Sequence, residues 1–198
     1  MNFLKKFNNR FSTILIIIVI LIGVIAQNIV LFRGGMRGGD GYKFPSMHDT
    51  MWNMALTAEL SNHFPPQHPG FAGVPLKNNH YFYPLILATV HRITGISIID
   101  LYFRIGPVLV SMIFGLSLFL VSTLFSNKII FRLLIVFLGF FSGSFSYFLP
   151  LFYGWNFNWQ GNTFLSDQPF DQLINPYSVL GFALMLMIVY LSAKVADK

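Results

Sequence analysis

His48 and Asp49 stand side by side in the segment SMHDTMWNMALTAE (Ser46–Glu59), just outside the first of several apolar runs of membrane-spanning length. A carboxylate beside an imidazole can take up or relay a proton. Ionisable side chains held at a membrane face are candidates for such chemistry. Ser46, preceded by Pro45 and followed three residues later by Asp49, is a capping-box pattern. It places Asp49 in the first turn of a helix, where the macrodipole favours an anion. The same placement supplies a purely structural role for Asp49, the stabilisation of a helix N-terminus, and the two roles are compatible. Met47, Met51, Met54, Ala55 and Ala58 recur at helical spacing and predict one apolar face, with Trp52 as an interfacial anchor.

Other polar residues cluster in the same region. Lys77, His80 and Arg92 lie between this helix and the second long apolar run, and Arg104 at the start of that run, where they can bind an anionic or hydroxylated substrate or simply snorkel to headgroups. His63 and His68 are separated by two prolines at a spacing that matches no zinc motif, so no metal ligands are assigned. The segment from Gly34 to Gly41 follows no strand and has neither a P-loop nor a dinucleotide spacing; it reads as a linker. Farther on, residues 150–175 combine Trp and Phe with Asn, Gln, Asp167 and Asp171. Aromatic faces with amides and carboxylates suit a carbohydrate, although an interfacial aromatic belt has the same composition.

The elements that must position these residues are set by composition. The chain is 55% hydrophobic and 10% charged, with 23 Phe, against roughly 25% charged residues in a soluble domain. An all-α polytopic membrane protein is the fold class this implies. Cys is absent, so disulfides and zinc–thiolate sites are excluded. The net charge of +6 is scattered between apolar runs, and no nucleic-acid-binding patch results. Four runs suit transmembrane helices of the ~20 residues a bilayer needs, at 12–32, 103–126, 129–149 and 178–193. The first follows Lys5, Lys6 and Arg10 in a short tail, 1–11, and reads as an uncleaved anchor. Four spans place that tail, Lys128 with Arg132, and Lys194 with Lys198 on the cytoplasmic side of the plasma (inner) membrane. Residues 33–102 then form a first outer loop, with interfacial helices near 46–60 and 81–99, and residues 150–175 a second. All five His, and every acidic residue but Asp197, fall outside.

The stretch from His48 to Pro107 resembles the first outer loop of membrane glycosyltransferases of the GT-C superfamily, including bacterial relatives of the protein mannosyltransferases and the aminoarabinose transferases. Those enzymes carry an acidic residue, often an Asp–Glu pair, at the start of a juxtamembrane helix. The resemblance puts that acid at Asp49, with Ala55 and Glu59 in the same helix, Pro84–Leu85 at the next juxtamembrane segment, and Arg104 opening the second span. Thr50 replaces the second acid of the pair, Tyr83 precedes Pro84 where His–Pro is usual, and Asn175–Pro176–Tyr177 departs from an Asn–Pro–Gln motif at its last residue. Family enzymes are several times longer, so residues 1–198 correspond to an N-terminal module, expected to be an incomplete chain or to work with a larger membrane subunit.

The resemblance implies an inverting transferase that moves a sugar from a polyprenyl-phosphate carrier on the extracytoplasmic face. Asp49 is then the general base. Lys77, Arg92 and Arg104 are candidates to hold the carrier phosphate, His48 and His80 further substrate contacts, and Asp167 or Asp171 a position for the acceptor or a divalent cation. No other cofactor is implied. The competing expectation is a non-catalytic polytopic subunit or truncated remnant that binds lipid or a partner enzyme. Gly106, Gly115, Gly139, Gly143 and Gly181 supply small residues for close helix contact.

Overall fold

The computed structural model describes residues 2–29, 31–39, 41–44, 47–77, 79–142 and 176–196, and 77% of them are helical. Six helices of more than one turn occur among these residues: α1 (Asn2–Asn28), α2 (Met47–Asn62), α3 (Phe82–Thr94), α4 (Ile98–Phe125), α5 (Ile129–Phe141) and α6 (Pro176–Ala196). Their length follows from sequence: α4 and α6 have no charged residue across long stretches and contain few helix breakers. Both are long and apolar enough to cross a membrane. Only 33% of the most apolar window of α4 and 17% of that of α6 is buried within the chain. A helix in the core of a soluble protein would bury most of that surface, so the two helices suggest membrane association.

The other two apolar runs differ from expectation. The first is helical from Ser12 to Asn28 and the third from Ile129 to Phe141. The third does not run on as one helix to residue 149: Ser142 adopts an extended conformation with ψ 126° and closes α5. At about 1.5 Å per residue, α5 as described is shorter than a bilayer core.

The all-helical expectation also gives way to two small antiparallel hairpins. In the first, β1 (Met36–Gly38) pairs with β2 (Gly41–Lys43), Met36 opposite Lys43. The segment read as a linker therefore contributes to the hairpin, with Gly38 paired to Gly41, and Gly41 takes a φ of 127° that a side chain would oppose. In the second, β3 (Gln67–His68) pairs with β4 (Phe71–Pro75). Side chains set this turn: the Gly70 amide donates to His68 Nδ1 at 3.0 Å and the Gly73 amide to Gln67 Oε1 at 3.0 Å. His68 also packs edge-on against Trp52 of α2, ring centroids 5.1 Å apart, and against Phe71 at 4.8 Å. The Pro-rich segment is thereby folded back onto α2.

Three apolar clusters hold the helices together. Ile16, Ile20 and Val24 of α1 meet Leu118 of α4 and Val136 and Phe140 of α5. The Phe140 ring is fully buried between two glycines, Gly23 and Gly115, and Gly139 receives Leu118. Tyr83 and Leu87 of α3 pack with Leu101, Tyr102 and Phe103 of α4 and Leu180 of α6. Leu56 and Leu60 of α2 meet Ala88 of α3. Gly95, left-handed at φ 72°, ends α3, its amide donating to the His91 carbonyl at 2.8 Å. The chain then enters α4 through a cap that sequence reading passed over. Ser97 Oγ accepts the Asp100 amide at 3.1 Å and donates to the Asp100 carboxylate at 2.6 Å.

Candidate functional site

Asp49 lies exposed in the first turn of α2, and the inward face of that helix determines where it stands. Thr50, Asn53, Leu56, Thr57 and Leu60 are buried, whereas Met51 is 50% exposed and Ala55 is exposed too. The most buried face is thus the mixed Thr/Asn/Leu stripe, with Met54 and Ala58 half-buried at its border. Burying such polar groups is costly unless they are hydrogen-bonded, and they are. Thr57 Oγ1 donates to the Asn53 carbonyl at 2.7 Å, and Asn53 Nδ2 donates to Tyr102 Oη at 3.4 Å. Thr50 bonds the same phenol.

Tyr102 sits where α4 departs from α-helical geometry, in a π-helical turn over Leu101–Ile105. Single π turns inside α-helices re-aim side chains and recur at functional sites. Here the turn buries Tyr102 completely against α2, and brings its ring within 5.1 Å of Phe103 and 6.4 Å of Tyr83. The Asp49 carboxylate lies close enough to act electrostatically on two phenols, Tyr102 and, from the start of α6, Tyr177. Tyr177 is 39% exposed. Asp49 of α2, Tyr102 of α4 and Tyr177 of α6 therefore lie within electrostatic range of one another.

Beside this cluster a narrow apolar cavity of about 150 Å³ opens between α3, α4 and α6, lined by Tyr83, Leu87, Val90, Ile105, Gly106 and Leu180. The Tyr83 hydroxyl is buried with no hydrogen-bond partner among the described residues. It rests over Gly106, where an added Cβ would lie 2.3 Å from it. Burial pushes the Tyr83 phenol far above the usual tyrosine range, with neighbouring Tyr102 adding to the effect, so Tyr83 remains a neutral donor.

The remaining residues marked out by sequence are dispersed. His48 belongs to the first turn of α2. Lys77 is exposed after β4, His80 is exposed before α3 with its amide donating to Asn79 Oδ1 at 2.8 Å, and Arg92 is exposed in the last turn of α3. Arg104 is already engaged: it pairs with Asp100 and donates to the Gly34 carbonyl at 3.2 Å, tying the chain after α1 to the start of α4. Glu59 pairs with His63 at 3.0 Å, one turn along α2. Asp167 and Asp171 lie outside the described residues, as do Asn175 and Gly143. Among the described residues, no group of three His, Asp or Glu side chains is placed to hold a metal ion.

Asn53, Tyr102 and Tyr83 were not singled out as site residues from sequence. For Asn53 a usable pattern existed, since Thr50, Asn53 and Thr57 fall at i, i+3 and i+7, one face of a helix. No family model, curated protein or solved structure matches the chain.

Proposed function

We propose that this protein is the carrier-side module of an inverting glycosyltransferase, a multi-pass protein of the plasma membrane with its N-terminus in the cytoplasm and its site on the extracytoplasmic face. The observation that carries the reading is the convergence of Asp49 with Tyr102 and Tyr177 next to an apolar cavity that contains the unpartnered Tyr83 hydroxyl. A sugar donor on a polyprenyl phosphate has matching parts: an isoprenoid chain for the apolar cavity, hydroxyls for the phenols, and a reacting carbon for an acceptor activated by a carboxylate.

In the reaction, the acceptor oxygen bonds to the anomeric carbon while the bond from that carbon to the phosphate oxygen breaks. The departing polyprenyl phosphate keeps the electron pair, and Asp49 takes the acceptor's proton. Lys77 and Arg92, exposed on neighbouring elements, are the cations proposed to meet the phosphate, with His48 and His80 as further substrate contacts; Arg104, held by Asp100, serves to fix the loop.

The test is sugar transfer in proteoliposomes from polyprenyl-phosphate-linked glucose, mannose and aminoarabinose, supplied one at a time. Asp49→Asn should lower turnover by about 10²- to 10⁴-fold, the range for loss of a general base, with unchanged helical content. A fully active Asp49→Asn protein would refute the assignment. A wild-type chain inert toward every donor, alone and with co-purified membrane proteins, would leave the lipid-binding subunit as the reading.

A further inference from the structure

The turn that joins α4 to α5, residues 126–128, lies at the far end of α4 from Tyr102 and Asp49. Arg132, in the first turns of α5, reaches back to it: Nε donates to the Ser126 carbonyl at 2.9 Å and Nη2 donates to Asn127 Oδ1 at 3.1 Å. These bonds use two of the five guanidinium N–H groups and hold the charged plane against the turn. The Lys128 amide donates to Ser126 Oγ at 3.1 Å, while the Lys128 side chain is exposed. Lys128 and Arg132 are four residues apart at the start of one helix, close enough for a single anion to meet both. Neither has a carboxylate partner among the described residues, in contrast to Arg104, which pairs with Asp100. Asn28 bonds Ser111 and Ile20 lies beside Gly115, so α1 runs antiparallel to α4 and its Lys5, Lys6 and Arg10 belong to the same end. Only Asp197 among the acidic residues comes near this end in sequence, and it lies outside the described residues.

We infer that the α4–α5 turn binds an anionic glycerophospholipid of the cytoplasmic leaflet, its phosphate between Lys128 and Arg132 and its chains along Phe131 and Leu138. A bias of positive charge toward the cytoplasm is enough to orient a membrane protein. A binding site needs more, a donor set held in place, and the two bonds from Arg132 to the turn supply it. A guanidinium fork fixed in this way matches the oxygens of a phosphate, and the mobile ammonium of Lys128 adds a point charge. The surface beside the cations selects a lipid over a free phosphate or an acidic protein segment. Phe131 and Leu138, seven residues apart on one face of α5, are 51% and 53% exposed. A phospholipid satisfies the cations and covers this face; a water-soluble anion satisfies the cations alone. The inference rests on α4 and α5 lying in the membrane, part of the proposed reading, and is independent of the transferase chemistry.

The full chain would be reconstituted in nanodiscs of equal phosphatidylglycerol and phosphatidylcholine with identical acyl chains, then released for native mass spectrometry of retained lipid. Wild type should retain phosphatidylglycerol about 25-fold over phosphatidylcholine, about fivefold for each of the two cations. Lys128→Gln, at an exposed side chain, should lower that ratio about fivefold with unchanged helical content. Arg132→Lys keeps the charge and removes the anchored fork, so it should also lower the ratio. Lys194→Gln is the control: it removes an equal charge from the end of α6, where Lys194 lies over the Tyr190 ring, and should leave the ratio in place. Asp49→Asn should also leave it in place, which separates this inference from the catalytic one. Equal losses from Lys128→Gln and Lys194→Gln overturn the inference, since they mean a diffuse field and no site. Equal retention of the two lipids overturns it alone, whereas retention of no lipid overturns it together with the membrane reading. A photocrosslink from position 131 that captures protein in place of lipid also refutes it.

Discussion

Gly23→Ala and Gly181→Ala are the same chemical change in two apolar helices, yet the structure gives them opposite signs. A Cβ on Gly23 would lie 2.3 Å from Cγ of Phe140, and 2.5 and 2.6 Å from the adjoining ring carbons. The obstacle is the root of a fully buried ring rather than the end of a flexible chain, so relief requires α1 and α5 to move apart. Overpacking of this kind costs about 1–3 kcal/mol, and contact with three ring atoms points to the upper part of that range. Against it stands the helix-propensity gain of Gly→Ala, about 1 kcal/mol. Gly23→Ala should therefore destabilise by about 2 kcal/mol after the two are combined. At Gly181 no atom of the described residues lies within 4 Å of the added carbon, so only the propensity gain remains. The assay is unfolding in mixed micelles titrated with a denaturing detergent, followed by far-ultraviolet circular dichroism. A cycle adding Phe140→Leu supplies the decisive control. If the clash is the cause, the shorter side chain recovers part of the Gly23→Ala loss, a coupling of about 0.5–3 kcal/mol. Equal midpoint shifts for the two glycine variants, or strictly additive effects in the cycle, would show that Phe140 is not wedged between α1 and α4.

Three further outcomes are expected. Tyr102→Phe removes the acceptor for buried Asn53 and should lower stability by about 1–3 kcal/mol; an unchanged detergent midpoint would mean the polar face of α2 is not anchored through that phenol. Ser97→Ala deletes the cap on α4, with an expected loss of about 1 kcal/mol, and hydrogen exchange should rise at the amides of residues 98–101; protection equal to wild type would contradict the cap. Replacing both Lys77 and Arg92 with Ala should weaken binding of a polyprenyl-phosphate sugar while leaving the thermal midpoint in place, because both side chains are exposed; unaltered donor binding would remove them from the phosphate site.

How far these features could be read from sequence depended on the range of the interaction responsible. Helix α2 and the first-turn position of Asp49 follow from a local pattern, and α4 and α6 from long uncharged apolar runs. The glycine segment 34–41 was legible as a linker but not as a hairpin, because pairing Met36 with Lys43 is a cross-strand choice that composition does not encode. The end of α5 at Phe141 was hidden, since hydropathy continues past Ser142 while the backbone does not. Arg104 carried the right charge for a phosphate ligand, but its commitment to Asp100 and the Gly34 carbonyl depends on a contact 70 residues away in sequence. Tyr177 was noticed only as a departure from a motif. Its neighbour Asp49 lies in another helix, and no local periodicity connects them.

The inward face of α2 explains why the carboxylate stands where it does. A helix that only floated at an interface would turn its Met and Ala residues toward apolar surroundings and its Thr and Asn residues toward water. Here Thr50, Asn53 and Thr57 are buried instead. Apolar side chains tolerate sliding by a fraction of a turn, because dispersion is non-directional, whereas the bond from Asn53 to Tyr102 does not. Tyr102 is itself aimed by the π turn at the head of α4. Helix register, and with it the approach of Asp49 to Tyr177, is thus fixed by hydrogen bonds and not by hydrophobic contact alone. Sequences depart from the rule that polar residues face water where position matters more than burial energy. On this ground the Asp49 cluster, ahead of the more numerous cations around it, is the place to look for chemistry.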